Sequence, residues 1–423
     1  MRHPGSIALA PAGIVAAVLY YLITSGSWQE FGIWPEPSII GWTTGFADLA
    51  NQTATADCIR NGTDITTCDP YGRPFQPYAV IPASLLAALG LGVAQTGVLG
   101  VALAAIYVFT IWFLGRSIAR NWLRHPVGLA SALAALTLAA ISPPALLLVE
   151  RGQIEILVLL FAALGLAAFA RPSPLIRGVG AISLTISVIV KYFNVGVFAA
   201  FFAPRRWSWW AGAAMVASFA FLVINFTDVI QARETARADL ASTSRVMFGS
   251  TTMFVTLAED DPLAFFAQEP QPMVIYRLAG LAVLAAFAAL WWWLIRRIDI
   301  TSMPNLAWFW LVGSIGSVGA PYLLGDSNDY RLVLLLPALA GSMTWLGSGG
   351  PWRPLAVLAA LMVVAQLTNA WMIPSPAGVV LPEGAMLIGE LAIAATLAFG
   401  LAIVARTWTI SRAAADEAVS GLP

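Results

Sequence analysis

The sequence predicts an all-α fold, a polytopic transmembrane helical protein in which residues 1–423 form a single transmembrane domain. Two observations carry this prediction. Of the 423 residues 59% are hydrophobic and only 10% are charged, whereas soluble proteins average about 45–50% and about 25%. The mean hydropathy is +0.80. The composition therefore excludes an ordinary soluble domain.

The charged and metal-binding residues exclude two further classes of protein. Lysine and arginine together number 22, as do aspartate and glutamate, so the chain lacks the basic excess of a nucleic-acid-binding protein. Two histidines and two cysteines are too few for a conventional His/Cys metal cluster. The sequence therefore predicts no metal, no other cofactor and no nucleic-acid partner.

About twelve apolar segments are predicted to cross the membrane, since a crossing takes around 20 mostly apolar residues. One of them, 194–204, is a short half-helix. The first is expected to stay uncleaved, because it is long and has no Ala-x-Ala cleavage site. The predicted spans are 7–25, 95–115, 127–147, 153–170, 177–193, 194–204, 208–226, 273–295, 305–324, 330–347, 354–372 and 384–405.

The distribution of charge predicts the orientation. Twelve crossings place both termini on one side, and that side carries 13 of the 22 basic residues but only three of the 22 acidic ones. Short cytoplasmic loops collect lysine and arginine, so this side is predicted to be the cytoplasm. Arginine supplies all of the basic residues except Lys191, which together with abundant alanine suggests a bacterium and hence its inner membrane.

Two long segments on the outer side are expected to be structured. They comprise residues 26–94 and 227–272, and loops of this length are usually functional or disordered. Within the first, Cys58 and Cys68 are predicted to form a disulfide, which is the usual fate of paired cysteines outside the cytoplasm. Residues 79–92 form an apolar helix too short to span, which suits the outer interface.

Asp48 is the favoured candidate for a general base. It lies in the sequence GFADLANQ of the first external segment, where a carboxylate could accept a proton from a hydroxyl group. Asp57 and Asp69 follow in the same segment and are alternative bases. The competing interpretation is that these acids are simply solvated.

Polar residues also interrupt the apolar helices near the predicted outer boundary. Glu150, Arg151, Gln153 and Glu155 lie at the junction of the third and fourth spans, where ionisable groups are costly unless they are paired or functional. One interpretation is a helix junction with an ion pair between Glu150 and Arg151. The other is a pocket that binds a sugar or a phosphate.

Lys191 lies late in the fifth span, close to the predicted outer side. The next segment returns to the cytoplasm in too few residues for an ordinary crossing, so the helix is predicted to break around Tyr192–Asn194. Broken helices inside a membrane line sites rather than lipid. Tyr192 and Asn194 are therefore candidate substrate-binding residues and Lys191 a phosphate ligand, the alternative being a lysine that merely reaches the interface.

Arg331 is the third candidate cation at the predicted outer side. It follows Asp326, Asn328 and Asp329 at the junction of two late spans. A guanidinium group suits bidentate phosphate recognition, and the three preceding residues are candidate substrate contacts. The alternative is an ion pair of Arg331 with Asp326 or Asp329.

The order of these features resembles the GT-C superfamily of membrane glycosyltransferases, and more narrowly its bacterial branch that includes the mycobacterial phosphatidylinositol-mannoside mannosyltransferases. The resemblance covers most of the chain in topology, through short motifs. They are Asp48 with Asp-Cys-Ile-Arg at 57–60 and Cys-Asp-Pro-Tyr-Gly-Arg-Pro at 68–74, Arg-Gly-Gln at 151–153, Lys191, and Asp-Tyr-Arg at 329–331.

The resemblance implies inverting transfer of a sugar, mannose or a similar hexose or pentose, from a polyprenyl-phosphate donor to a lipid or glycan hydroxyl. Asp48 would be the base, and Arg151, Lys191 and Arg331 would bind the donor phosphate at the extracytoplasmic face. The spacing in the first external segment departs from the family pattern, so the base stays open among Asp48, Asp57 and Asp69. The main rival is a transporter or flippase, for which a broken helix with a buried lysine is equally typical; a non-catalytic scaffold is the third class.

Overall fold

The fold is predominantly helical, as predicted. A computed structural model describes residues 3–27, 46–63, 80–203, 206–226, 247–249, 270–324, 326–368 and 383–420. The α-helices are α1 Pro4–Ile7, α2 Leu9–Ser25, α3 Ala47–Arg60, α4 Val80–Ala88, α5 Thr96–Trp122, α6 Pro126–Ala140, α7 Pro143–Glu150, α8 Glu155–Phe169, α9 Pro174–Val190, α10 Trp209–Ile224, α11 Pro270–Ile295, α12 Asn305–Leu324, α13 Leu336–Gly347, α14 Trp352–Thr368 and α15 Glu383–Ser420.

Shorter elements connect these helices. The 3-10 helices are η1 Val93–Gln95, η2 Tyr192–Phe201 and η3 Asp329–Leu335. Strands β1 Met247–Gly249 and β2 Asp326–Asn328 pair antiparallel, with Phe248 opposite Ser327. This pairing holds residues 247–249 beside the start of η3.

Helical structure lies at every predicted span, but length limits which helices are able to cross a membrane alone. Within the described ranges, five are long and apolar enough, or six if the bent pair α6–α7 is one span. The remaining apolar helices have 10–17 residues. A protein with membrane-spanning helices is thus supported, while the number of twelve crossings stays a prediction. The five are Pro4–Ser25, Val93–Trp122, Val274–Ile295, Asn305–Leu323 and Leu387–Ala414.

The predicted span 127–147 is two helices rather than one. Helices α6 and α7 meet at an angle of 48°, and α7 begins with Pro143 and Pro144. Proline has no amide hydrogen and disfavours helical geometry in the preceding residue, here Ser142, which is extended. The prediction of one straight helix over 127–147 is therefore wrong at this bend.

The predicted break after the fifth span is confirmed, one residue earlier than expected. Helix α9 ends at Val190, and Lys191 is extended with φ −147° and ψ 108°. The chain then continues as η2. The backbone amide of Lys191 still bonds to the carbonyl of Ser187, so the break lies immediately after the last helical turn.

Close packing around η2 and α12 forms the centre of the molecule. Gly196 and Gly316 face each other so closely that a β-carbon on either would collide with the backbone of the other, and small residues allow such helix contacts in membranes. The indoles of Trp308 and Trp310 donate to the carbonyls of Ala200 at 2.8 Å and Ala163 at 2.9 Å. These bonds satisfy the polar atoms of the buried tryptophans.

Helix ends that the sequence places on one side of the membrane also meet in the structure. Trp122, at the end of α5, donates to the carbonyl of Met343 near the end of α13 at 2.7 Å. We call this side, with Arg177, Arg206 and Asn305, the Arg206 end. Asp48, Glu155 and Lys191 lie at the other end of the bundle, which we call the Asp48 end.

Candidate functional site

The main chain at the start of α3 is fixed against the turn that follows α7. The amide of Asp48 donates to the carbonyl of Arg151 at 3.0 Å, and the amide of Leu49 donates to the same oxygen at 3.2 Å. The amide of Phe46 donates to the carbonyl of Glu150. Amides in the first turn of a helix lack partners within it, and here the 150–151 turn supplies them.

Gly152 allows this close approach. Its φ is +61°, and a β-carbon there would lie 2.8 Å from the β-carbon of Leu49. Glycine alone tolerates both the left-handed conformation and the absence of space for a side chain. Phe46 has a φ of 66° on the other side of the contact, so both chains turn sharply where they meet.

The carboxylate of Asp48 is held by two side chains from this same turn. Arg151 Nη1 lies 3.3 Å from Asp48 Oδ1, and Gln153 Nε2 donates to Asp48 Oδ2. The Asp48 side chain remains 37% exposed, against 12% for Arg151. An oriented carboxylate with an open side is therefore present where the sequence predicts a base.

Arg151 also connects Asp48 with the buried Glu150. Its Nε atom lies 3.7 Å from Glu150 Oε2, and the side chain of Glu150 is 1% exposed. The ion pair between Glu150 and Arg151 is present, as the first interpretation of this segment expects, while the binding of a sugar or a phosphate stays a prediction. The same turn supplies an ion pair and the environment of the candidate base.

Lys191 and Arg331 converge on Glu155, one of the polar residues that the sequence places at the junction of the third and fourth spans. Lys191 Nζ lies 3.1 Å from Glu155 Oε1, and Arg331 Nε lies 3.9 Å from the same oxygen. The guanidinium of Arg331 also lies over the ring of Phe193, 4.3 Å from its centroid. Glu155 is thus the shared partner of the two cations that the sequence assigned to phosphate binding.

These contacts form one ionic cluster at the Asp48 end. Lys191 lies close enough to Asp48 for their opposite charges to attract each other, and the like charge of Arg331 repels it. Among the side chains that the structure describes, the cluster contains three carboxylates and three cations. Its members are Asp48, Glu150, Glu155, Arg151, Lys191 and Arg331.

The described partner of Arg331 is Glu155. The side chains of Asp326 and Asp329 lie outside the described part of the structure, so the alternative ion pair of Arg331 with one of them stays a prediction. Asp326 and Asn328 lie at the two ends of β2, and Asp329 begins η3. Their backbone therefore lies beside Arg331, as predicted, while their contacts with substrate stay a prediction.

Two further predicted binding residues flank the break after α9. Asn194 is fully buried and donates to the hydroxyl of Ser187 at 2.8 Å, which fastens η2 to the end of α9. Tyr192 is half-buried next to Phe193. Asn194 thus stabilises the break itself, whereas Tyr192 keeps some exposed surface.

The alternative base Asp57 occupies a different environment from Asp48. One of its carboxylate oxygens lies 2.5 Å from Arg60, and the other accepts a bond of 2.9 Å from the amide of Val93 at the start of η1. Asp57 thereby joins α3 to η1 and stabilises their packing. Asp69, the other alternative, lies outside the described residues.

The predicted disulfide also involves a residue that the structure does not describe. Cys58 lies on α3, while Cys68 lies outside the described residues. The pairing therefore stays a prediction. The interfacial helix predicted over 79–92 corresponds to α4, which packs against α3.

Gln366 is a residue of this region that sequence reasoning missed. It accepts from the hydroxyl of Ser142 at 3.0 Å and donates to the carbonyl of Leu332, and it is buried. It thus connects the bend between α6 and α7 with η3, the element that carries Arg331. A glutamine amid the apolar sequence of α14 was the only signal available.

No protein-family model matches the chain, and no curated protein or solved structure matches it significantly. A function must therefore be argued from the site.

Proposed function

We propose that this protein is an integral-membrane glycosyltransferase that moves a sugar, mannose or a similar hexose or pentose, from a polyprenyl-phosphate donor to a hydroxyl of a lipid or glycan acceptor. The reaction inverts the configuration of the anomeric carbon. It takes place at the Asp48 end, which we assign to the extracytoplasmic face of a bacterial inner membrane.

The observation that carries this proposal is the environment of Asp48. Its carboxylate is oriented by Arg151 and Gln153 and yet is 37% exposed. A general base needs this combination of fixed geometry and access to the acceptor hydroxyl. Lys191 and Arg331 lie in the same ionic cluster, where cations suit a departing phosphate.

The proposed step balances in atoms and charge. The acceptor oxygen bonds to the anomeric carbon while the bond from that carbon to the phosphate oxygen breaks, and the phosphate keeps the electron pair. The acceptor proton goes to Asp48. The hydroxyl becomes a strong acid only as its oxygen forms the new bond, so a carboxylate is basic enough to receive the proton at that stage.

The change in charge of the cluster suits this step. When Asp48 accepts the proton, the charge of the cluster rises by one unit. The phosphate gains one negative charge as it leaves the sugar. The two changes compensate each other, which stabilises the products of the transfer more than the bound donor.

The test is to compare Asp48→Asn with Asp57→Asn in purified protein supplied with polyprenyl-phosphate sugars and a hydroxyl acceptor. Asparagine keeps the size of aspartate but does not accept the proton. We expect Asp48→Asn to lower turnover by about 10²–10⁴-fold while donor binding changes little, and Asp57→Asn to retain activity. Near-normal turnover in Asp48→Asn would remove this residue as the base.

A second candidate function is a transporter or flippase for a lipid-linked or anionic substrate. It is favoured by the break at Lys191 beside the buried Glu155, because discontinuous helices with ionisable residues also form transport pathways. In liposomes, a transporter would move the lipid-linked sugar across the bilayer without transferring it. Movement without transfer for every donor and acceptor tried would favour this alternative.

A further inference from the structure

A polar cavity lies at the Arg206 end, opposite the ionic cluster. It has a volume of about 80 Å³ and lies where α8 ends and α9, α10 and α12 begin. Arg177, Arg206, Ser208 and Asn305 supply its polar lining, and rings of Phe169 and Phe309 complete it. Helix α8 begins at Glu155 in the cluster and ends at Phe169 beside the cavity, so its length of about 22 Å separates the two.

Both arginines of this cavity have neutral hydrogen-bond partners. Arg177 Nε donates to the carbonyl of Arg171 at 2.8 Å, and Arg206 donates to the side-chain oxygen of Asn305 and lies over the ring of Trp308. Within the part of the chain that the structure describes, neither guanidinium has a carboxylate within 4.0 Å. Two positive charges thus face one cavity without compensation.

Burial makes this arrangement costly unless an anion binds. Arg206 is half-buried, and removal from water lowers the pKa of its guanidinium. A charge that is partly removed from water is stabilised by a counter-ion. The remaining N–H groups of Arg177 and Arg206 could donate to the oxygens of such an ion, and guanidinium groups match the geometry of phosphate.

The helices add positive potential to the same place. Arg177 lies in the first turn of α9, Ser208 precedes the first residue of α10, and Asn305 is the first residue of α12. The amino terminus of a helix carries partial positive charge and favours anions. Three such termini therefore reinforce the two arginines.

The surface beside the cavity is apolar. Trp207 lies at the cavity and is 56% exposed, and Trp209 is 64% exposed. Along α9 and α10, Leu175, Val179 and Val216 are 78%, 56% and 70% exposed. Tryptophan is typical of the interface between membrane and water, and an exposed apolar helix surface suits acyl chains.

We propose that this cavity binds the phosphate group of an anionic membrane lipid, whose acyl chains lie along the exposed surface of α9 and α10. The shape and charge of the cavity account for the phosphate, and the neighbouring apolar surface accounts for the lipid. This site is separate from the ionic cluster and does not depend on the proposed transferase reaction.

The experiment measures retained lipid by native mass spectrometry after transfer of the full-length protein into nanodiscs of phosphatidylcholine with or without phosphatidylglycerol. The variants are Arg206→Gln and Arg177→Gln, with Arg206→Lys as the charge-retaining variant. Arg353→Gln is the matched control, since Arg353 is exposed and does not line the cavity. Melting temperatures establish that each variant is folded.

We expect the parent protein to retain phosphatidylglycerol over phosphatidylcholine, and each glutamine variant to lower that retention about tenfold, the effect of losing one charge-assisted contact. Arg206→Lys should keep more of it, and Arg353→Gln should match the parent. Equal retention in the parent and both glutamine variants would overturn the site. Displacement of the lipid by millimolar inorganic phosphate would overturn the part of the proposal that concerns acyl chains.

Discussion

Lys191 Nζ lies 3.1 Å from Glu155 Oε1, and the two side chains are 4% and 0% exposed. Glu155 begins α8, and Lys191 is the extended residue at which α9 stops. The ion pair therefore joins the start of α8 to the end of α9 and keeps the broken segment in place. Because both side chains are almost fully removed from water, their mutual attraction offsets part of the cost of burying the two charges.

Glu155→Gln is expected to destabilise the protein by about 3–5 kcal/mol, because it leaves a buried ammonium without its carboxylate. The melting temperature of the purified protein measures the effect. Removing both charges with Glu155→Gln and Lys191→Met should restore much of the loss, since the buried ammonium is then gone and Arg331, the other cation beside Glu155, is 19% exposed. A double variant no more stable than Glu155→Gln would contradict this account.

Gly152→Ala is expected to be costly for two reasons that a matched variant separates. Gly62 also has a positive φ, +70°, but a β-carbon there would have no neighbour within 4 Å. Gly62→Ala should therefore cost only the left-handed conformation, about 1 kcal/mol. Gly152→Ala adds the collision with Leu49, so we expect a loss of at least about 2 kcal/mol.

The free energies of unfolding of these two variants separate the cost of the conformation from that of the collision. Turnover gives a second measurement of Gly152→Ala. Since Gly152 holds the start of α3 against the 150–151 turn, Gly152→Ala should also move Asp48 and lower activity. Equal losses of stability in Gly152→Ala and Gly62→Ala would show that the contact with Leu49 is unimportant.

The predicted disulfide between Cys58 and Cys68 should stabilise the first external segment. Replacing either cysteine with serine is expected to cost about 2–4 kcal/mol. Adding a reductant to the parent should produce the same fall in melting temperature, while the serine variants should not respond to it. Two free thiols in mass spectra of the native protein would remove this prediction.

The predicted orientation places the Asp48 end outside the cell. Asn61 and Arg353 are both exposed and lie at opposite ends of the bundle. In intact cells a membrane-impermeant thiol reagent should label Asn61→Cys and should label Arg353→Cys only after permeabilisation. Labelling of the parent protein, measured in parallel, shows how much of the signal comes from Cys58 and Cys68. The reverse pattern would place the proposed active site in the cytoplasm.

Local sequence determined most of the helices. The apolar segments 208–226 and 305–324 match α10 and α12 to within a few residues, because apolar runs of this length form helices whatever their neighbours are. The break after α9 was predictable too, from the short distance between Lys191 and the next basic residues. The bend at Ser142 was missed, although the two prolines after it carry the signal.

The candidate site, like the helices, was predictable from the sequence only in part. Sequence alone identified Asp48, Arg151, Lys191 and Arg331, since an ionisable residue amid apolar ones is conspicuous wherever it lies. Which of these groups pair was decided by the tertiary structure. Glu155 became the partner of Lys191 and Arg331 only when α8, α9 and η3 packed together, because an ion pair depends on distances of a few ångströms between segments far apart in the chain.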